Sequence, residues 1–247
     1  MKPPSIIQVV TRITAIVASV ELLIMLLLTN VTYELKPFTE ALLDTVLLVA
    51  LSSPMIFIWV IKPYVVAWNE ALSQITYMAF HDPLTKLANR RLLSEYLERT
   101  VASFNRHKIH GAILLLDLDD FKVVNDTKGH EAGDAVLIEI SRRINLIKRV
   151  DDVACRLGGD EFIVLLPQLD INKQTAHTKA LQFAKRLQQE LNKPIEFKGS
   201  KLLVGVSIGL RLLGSSQLDA RTAISDADTA MYRAKQKGKG FIIDFEE

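Results

Sequence analysis

Three things are scarce in this 247-residue sequence. It has a single cysteine, Cys155, which excludes an intramolecular disulfide and fits a reducing compartment. Its net charge is only +2 at pH 7, which argues against bulk binding of nucleic acid. Its first quarter has little charge of either sign: residues 1–61 carry few ionisable side chains, and residues 81–247 carry most of them. That imbalance points to two solvents, lipid and water. The length leaves room for one ordinary globular domain and something smaller.

Two apolar runs fill the charge-poor quarter, about 6–28 and 41–61. Each is long enough to cross roughly 30 Å of hydrocarbon as a helix, the form that satisfies its own backbone groups there. Arg12 is expected at the inner interface. Glu21 falls at depth, where a carboxyl is costly; it is either functional or neutralised by protonation or an interhelical hydrogen bond. Asp44 lies near the outer end of the second run, and Pro54 is expected to kink it. A cleavable signal peptide fits less well, since the run is long, lacks a small-x-small exit and is followed by a second span. Lys2, Arg12 and Lys62 flank the spans, whereas the 30–40 connection sets Lys36 against Glu34 and Glu40. The positive-inside rule then places both termini in the cytoplasm of a multi-pass protein, leaving an external loop too short for a sensor domain.

Beyond Pro63, Val65, Trp68, Leu72, Ile75 and Ala79 alternate in threes and fours. This suits a helix over 64–80 with a dimer seam, or a single amphipathic helix lying on the membrane or the next domain. Pro83 is expected to end it. The remainder, 81–247, reads as one domain. Helices are predicted over 84–106, 131–148, 174–191 and 220–235. Strands are predicted over 112–116, 153–157, 162–166, 202–210 and 241–245, with a tight hairpin at Gly158-Gly159. Strands alternating with helices, but including one hairpin, indicate an α+β sandwich of the ferredoxin-like kind with a mixed or antiparallel sheet.

Three carboxylates stand at unusual points. Asp117 ends an apolar strand, and Asp160 and Glu161 sit at the hairpin tip. If those strands are neighbours, all three meet at one sheet edge, as hard oxygen ligands suited to Mg²⁺ together with phosphate oxygens. A pair of such ions can activate an attacking oxygen and stabilise a leaving one. Gly158 and Gly159 would let a base or sugar lie against the backbone. Each signal has a bland counterpart, a polar loop or an ordinary turn; the combination carries the claim.

Residues 81–245 resemble the GGDEF family of diguanylate cyclases. The matching segments are Asp82-Pro-Leu-Thr-Lys-Leu-Ala-Asn89-Arg90-Arg91, Asp117-Leu-Asp-Asp-Phe-Lys122-Val-Val-Asn125-Asp126, Gly129-His130, Gly133-Asp134 and Arg156-Leu-Gly158-Gly-Asp-Glu-Phe162. They continue with Val206-Ser207-Ile-Gly209, Ala227-Asp228, Tyr232, Ala234 and Lys235. The resemblance implies a nucleotidyl-cyclase palm that condenses two GTP to cyclic di-GMP and two pyrophosphates across an antiparallel homodimer. It implies two Mg²⁺ per active site (Mn²⁺ as a substitute), held by Asp117, the Leu118 carbonyl, Asp160 and Glu161. Asp160 and Glu161 are the catalytic pair, with Glu161 helping to deprotonate the attacking hydroxyl. Asn125 and Asp134 match the guanine readers, consistent with a carboxylate accepting from guanine N1–H and N2–H₂. Lys122, Phe121, Lys235 and Lys239 match positions at the terminal phosphates, Gly159 lies under the nucleotide, and His130 is either a contact or structural. The family also implies a bacterium, which together with the two apolar runs gives the bacterial inner membrane as the expected location.

One segment departs. The family usually reads Gly-Arg-Asn where this chain has Gly238-Lys239-Gly240; lysine keeps the charge but loses the planar fork. Arg149-Val150-Asp151-Asp152 matches the register of the family's Arg-x-x-Asp inhibitory product site, with a polar turn as the plain alternative. A rival of another class is a catalytically silent receptor that binds GTP or cyclic di-GMP and signals by contact; the retained carboxylates favour the enzyme. A phosphodiesterase reading lacks a further hydrolase domain in this sequence, and Cys155 reads as a buried strand residue.

Overall fold

The computed structural model describes residues 5–29, 36–214 and 218–246. The chain divides into two compact units, Met1–Tyr77 and Met78–Glu247. Lys2, Glu34 and the turn between the predicted spans lie outside the described residues.

In the first unit, α1 (Ile6–Thr29) is apolar apart from a few polar residues, Arg12 and Glu21 carrying its only charges, and α2 (Pro37–Ile56) opens with proline at a position where no backbone donor is needed. Both are long and apolar enough to cross a membrane. The predicted second span is not a closed segment. After Pro54 the chain winds into one π-helical turn, Phe57–Ile61, and continues directly as α3 (Lys62–Phe80). Pro63 does not break this run; it lies in the first turn of α3. Because Pro63 has no N–H, the Trp59 carbonyl four residues earlier loses its helical donor. Arg12 Nη1 donates to that carbonyl at 3.2 Å, tying α1 to the π turn. Arg12 therefore has a specific backbone partner, beyond the interfacial placement its charge suggested.

In the second unit a five-stranded sheet has the order β2-β3-β1-β6-β7, formed by β1 (His110–Asp119), β2 (Val153–Gly158), β3 (Glu161–Asp170), β6 (Gly205–Leu213) and β7 (Ile242–Asp244). All neighbours are antiparallel except β6 and β7. The mixed sheet of an α+β fold is thus present. β1 is central and entirely buried, so it reads as an unbroken apolar run rather than an alternating one. Its even residues, Leu114, Leu116 and Leu118, pack with α6 (His130–Ile147) and α7 (Lys173–Leu191). Its odd residues, Ile113 and Leu115, face α4 (Arg90–His107) and α8 (Ala220–Gln236). Asp117 and Asp119 continue the odd series by strand alternation.

Four differences from the sequence reading are local. The helix predicted from Leu84 begins at Arg90, because Asn89 caps it by accepting from the Arg91 and Leu92 amides. Residues 82–87 instead form a turn in which the Asp82 carboxylate accepts from the Thr85 amide and hydroxyl. A short helix, α5 (Phe121–Lys128), went unpredicted; eight residues ending at Gly129 give too little periodicity to read. So did a small hairpin, β4 (Ile195–Phe197) and β5 (Ser200–Leu202), turned by Lys198 and Gly199 at positive φ. The strand predicted from Leu202 starts at Gly205.

The buried Arg143 of α6 closes one side of the fold. Its guanidinium donates to the carbonyls of Glu190 and Leu191 at the C-terminus of α7 and of Lys193 and Pro194 just beyond it, while Nε pairs with Glu139. Glu139 is held down to about 2, first by hydrogen bonds from Arg142 and, against its partial desolvation, also by Arg143.

Candidate active site

The C-terminal end of β1 gathers the predicted residues. Asp117 lies opposite Glu161 in the β1–β3 ladder, and the Leu118 amide donates to the Asp160 carbonyl at 3.3 Å. The strands expected to be neighbours are neighbours, so Asp117, Asp160 and Glu161 share one sheet end. Asp117 is 5% exposed. Burial raises its carboxyl above the ordinary range; the ammonium of Lys235 opposes this and the charges of Asp160 and Glu161 add to it. Lys235, near the end of α8, reaches Asp117 Oδ2 at 2.7 Å. Among the described residues no three acidic, His or Cys side chains already form a closed metal cage.

The turn between β2 and β3 needs its glycines, at φ +147° and +55°. It is braced from below by a residue to which the sequence reading gave no role. Arg156 donates through Nε and Nη2 to the Gly159 carbonyl at 3.0 and 2.8 Å, and its Nη1 meets Asp82 at 3.2 Å. Burial opposes ionisation of Asp82, but the Thr85 hydrogen bonds and Arg156 outweigh it and hold the carboxyl below its usual range. The turn is therefore tied to the 82–87 loop as well as to β1.

The remaining predicted residues fall into two groups. Phe121, Lys122 and Asn125 lie on α5, which starts directly after β1. Asn125 rests on Gly133 of α6, where a Cβ would stand 1.9 Å from Asn125 Oδ1, so glycine at 133 sets the position of the amide. Asp134 follows on the exposed side of α6, and His130 is exposed at its first residue. Lys239 sits at φ +65° between two glycines and pairs with Asp120 at 2.7 Å, which raises its ammonium above the ordinary value. Arg149 and Asp152 are elsewhere. They precede β2 at the end opposite Gly158, about 20 Å away by strand rise. There the Asp152 carboxylate accepts from the Arg149 amide at 2.7 Å, and both residues line a cavity of about 200 Å³ with Lys179, Gln182 and Arg186. Cys155, fully buried in β2, has its thiol pushed up to about 12 by burial and is chemically quiet.

A contact set around Gly240 also escaped the sequence reading. Asp119 and Ser207 both bond the Gly240 amide. The signal was available: Asp119 is two residues from Asp117 and so shares its face of β1.

The sequence profile described as "Diguanylate cyclase, GGDEF domain" matches residues 79–240. The chain is 35% identical over 177 residues to the bifunctional diguanylate cyclase/cyclic di-GMP phosphodiesterase MucR of Pseudomonas aeruginosa, covering 72% of this chain and 25% of MucR. It is 37% identical over 179 residues to the diguanylate cyclase TpbB of the same organism, covering 70% of this chain and 40% of TpbB. The chain thus spans well under half the length of these relatives. Among solved structures, the GGDEF domain of TpbB superimposes with a TM-score of 0.62 at 36% identity, covering 66% of this chain and 99% of that one. The coiled coil and GGDEF domain of DgcB from Caulobacter crescentus, solved in complex with c-di-GMP, gives 0.66 at 25% identity, covering 74% and 94%. Sheet order, the Gly158–Phe162 turn and these matches agree: the chain belongs to the GGDEF domain family, whose members include diguanylate cyclases.

Proposed function

We propose that this chain is a membrane-anchored diguanylate cyclase that condenses two GTP into cyclic di-GMP across a homodimer. The observation that carries this reading is the pairing of Asp117 with Glu161 at the end of the central strands, with Asp160 bonded to Leu118 and Lys235 arriving from α8. Asp117 pairs with Lys235 and also feels the charges of Asp160 and Glu161, an excess of negative charge that a divalent cation would balance. The donors are hard oxygens, as Mg²⁺ requires. Asp117, Asp160, Glu161 and the Leu118 carbonyl would hold it. When bound, such a cation supplies neutralisation of phosphate charge and acidification of a coordinated hydroxyl.

The chain's own residues do the rest. Asn125 and Asp134 select guanine, and Lys122, Lys235 and Lys239 meet the terminal phosphates. Glu161 accepts the 3′-hydroxyl proton. The 3′ oxygen forms a bond to the α-phosphorus of the nucleotide on the partner subunit as the α–β phosphoanhydride bond breaks and pyrophosphate leaves. The reciprocal attack closes the ring. Arg149 and Asp152, remote from this chemistry, suit a product-binding inhibitory site, with the arginine fork gripping guanine or phosphate. The two apolar helices anchor the chain in the bacterial inner membrane with both ends cytoplasmic, and α3 supplies a dimer seam. The membrane unit then sets how often two active sites face each other.

Full-length protein in detergent, supplied with GTP and Mg²⁺, is expected to release cyclic di-GMP and pyrophosphate in a 1:2 ratio. Protein that binds GTP yet releases neither, even when dimeric, would establish the receptor reading instead. Two variants probe the details. Lys239→Arg restores the planar fork and is expected to lower KM for GTP by about threefold with kcat little changed; steady-state kinetics showing an equal or higher KM would refute the phosphate role. Arg149→Ala is expected to retain turnover and lose product inhibition, raising the half-inhibitory cyclic di-GMP concentration at least about tenfold. Unaltered product binding by calorimetry would remove Arg149 from the site.

A further inference from the structure

The geometry points to Asp119 and Ser207 as positioning residues that, by holding Gly240, fix Lys239 where the terminal phosphates of the nucleotide are read. This rests on the proposal that Lys239 meets those phosphates.

The 238–240 turn is conformationally demanding: Gly238, Lys239 and Gly240 all have positive φ, at +123°, +65° and +66°. Glycine adopts such angles freely, but lysine does so only when its surroundings enforce it. The surroundings here are specific. The Gly240 amide donates to Asp119 Oδ2 at 3.0 Å and to Ser207 Oγ at 3.2 Å. Ser207 Oγ donates in turn to Asp119 Oδ1 at 2.7 Å, so both carboxylate oxygens are used. On the other side, Gln188 of α7 donates to the Gly240 carbonyl at 3.2 Å and also to the Val206 carbonyl. The amide and the carbonyl of Gly240 are thus both clamped.

Asp119 is itself confined. It is 8% exposed, and its partner across the β1–β6 ladder is Gly205, where a Cβ would stand 2.8 Å from Oδ2. A side chain at 205 would push the carboxylate off the Gly240 amide. Ser207 is fully buried. A buried carboxylate that accepts an amide hydrogen bond is a strong, directional anchor. One residue before that anchor, Lys239 extends to Asp120, which directly precedes α5. The strand ends β1 and β6 therefore dictate the position of a lysine 120 residues from Asp119 in the sequence. Neither Asp119 nor Ser207 needs to touch the nucleotide.

The test uses full-length protein and two probes: α,β-methylene-GTP, which cannot release pyrophosphate, and GMP, which lacks the terminal phosphates. Asp119→Asn and Ser207→Ala are each expected to weaken the triphosphate about tenfold while shifting GMP less than about twofold. Lys239→Ala should produce the same selective loss, and adding Asp119→Asn to it should cost little more, because both act through one contact. Equal weakening of both nucleotides would reduce the pair to ordinary fold stabilisers and overturn the proposal. Additive losses, or unchanged triphosphate affinity in both single variants, would also overturn it. A raised Mg²⁺ requirement in Asp119→Asn without any effect of Ser207→Ala would make Asp119 a metal ligand instead. Wild-type protein that binds the two nucleotides equally overturns it too. Wild-type protein that discriminates between them but makes no cyclic di-GMP refutes the cyclase reading alone, and the same selective losses in the variants would still support the positioning role.

Discussion

Replacing Glu161 with glutamine is expected to lower cyclic di-GMP formation about a thousandfold, a range typical of losing a positioned proton acceptor, while leaving α,β-methylene-GTP binding within a few-fold of wild type. Glu161 is the first residue of β3 and lies opposite Asp117 in the ladder, so its backbone place is fixed by β-pairing and not by its charge. Glutamine keeps the size of the side chain and removes only the carboxylate. Two consequences follow. The proton acceptor for the 3′-hydroxyl is lost, and the local negative charge that calls for a cation falls by one. The residues assigned to guanine and terminal phosphates lie on α5, α6, α8 and the 238–240 turn, on separate elements from Glu161, so binding should largely survive. Turnover and equilibrium binding measured on the same preparation separate the two effects. A variant with turnover within tenfold of wild type would remove Glu161 from the chemistry; one that neither binds nor turns over would place it in substrate binding.

How much of this was legible before the fold was known depends on the range of each interaction. The helices α6, α7 and α8 announce themselves through amphipathic spacing over several turns, and the β2–β3 turn through Gly158-Gly159. Asp117, Asp160 and Glu161 could be grouped because each sits at the end of an apolar strand, and adjacency of two such strands is enough to bring them together. What stayed hidden was set by contacts distant in sequence. Arg156 reads as an ordinary strand residue until Asp82 and the Gly159 carbonyl are both beside it. Arg12 reads as an interfacial charge until the Trp59 carbonyl, distant in sequence, is seen to accept from it. Asp119, Ser207 and Gly240 come from three separate segments. α4 starts at Arg90 and not at Leu84 because the Asn89 cap outcompetes the helical propensity of the residues before it.

The substitution Gly209→Ala is expected to cost stability on the order of 3 kcal/mol, an upper-range value for overpacking, and so to lower the melting temperature by about 10 °C. Gly209 lies in β6 beneath α8. A Cβ there would stand 2.0 Å from the Ala227 carbonyl oxygen and 2.3 Å from the Met231 amide nitrogen. These are backbone atoms, so no side-chain rotation relieves the clash; the helix must lift. The buried face of α8 is Ala223, Ala227, Ala230, Met231 and Ala234, a mostly small surface that works only at close approach to the sheet. Lifting α8 opens that whole face. It also carries Lys235, one turn beyond Met231, away from Asp117, so KM for GTP should rise along with the loss of stability. Ala227→Gly in the same chain distinguishes the cause. It deletes a methyl group but leaves the obstructing carbonyl in place, so it should not restore the melting temperature. Rescue by that second change would mean that side-chain crowding sets the spacing, whereas a Gly209→Ala protein melting within about 2 °C of wild type would mean that α8 does not ride on β6 as closely as this backbone contact requires.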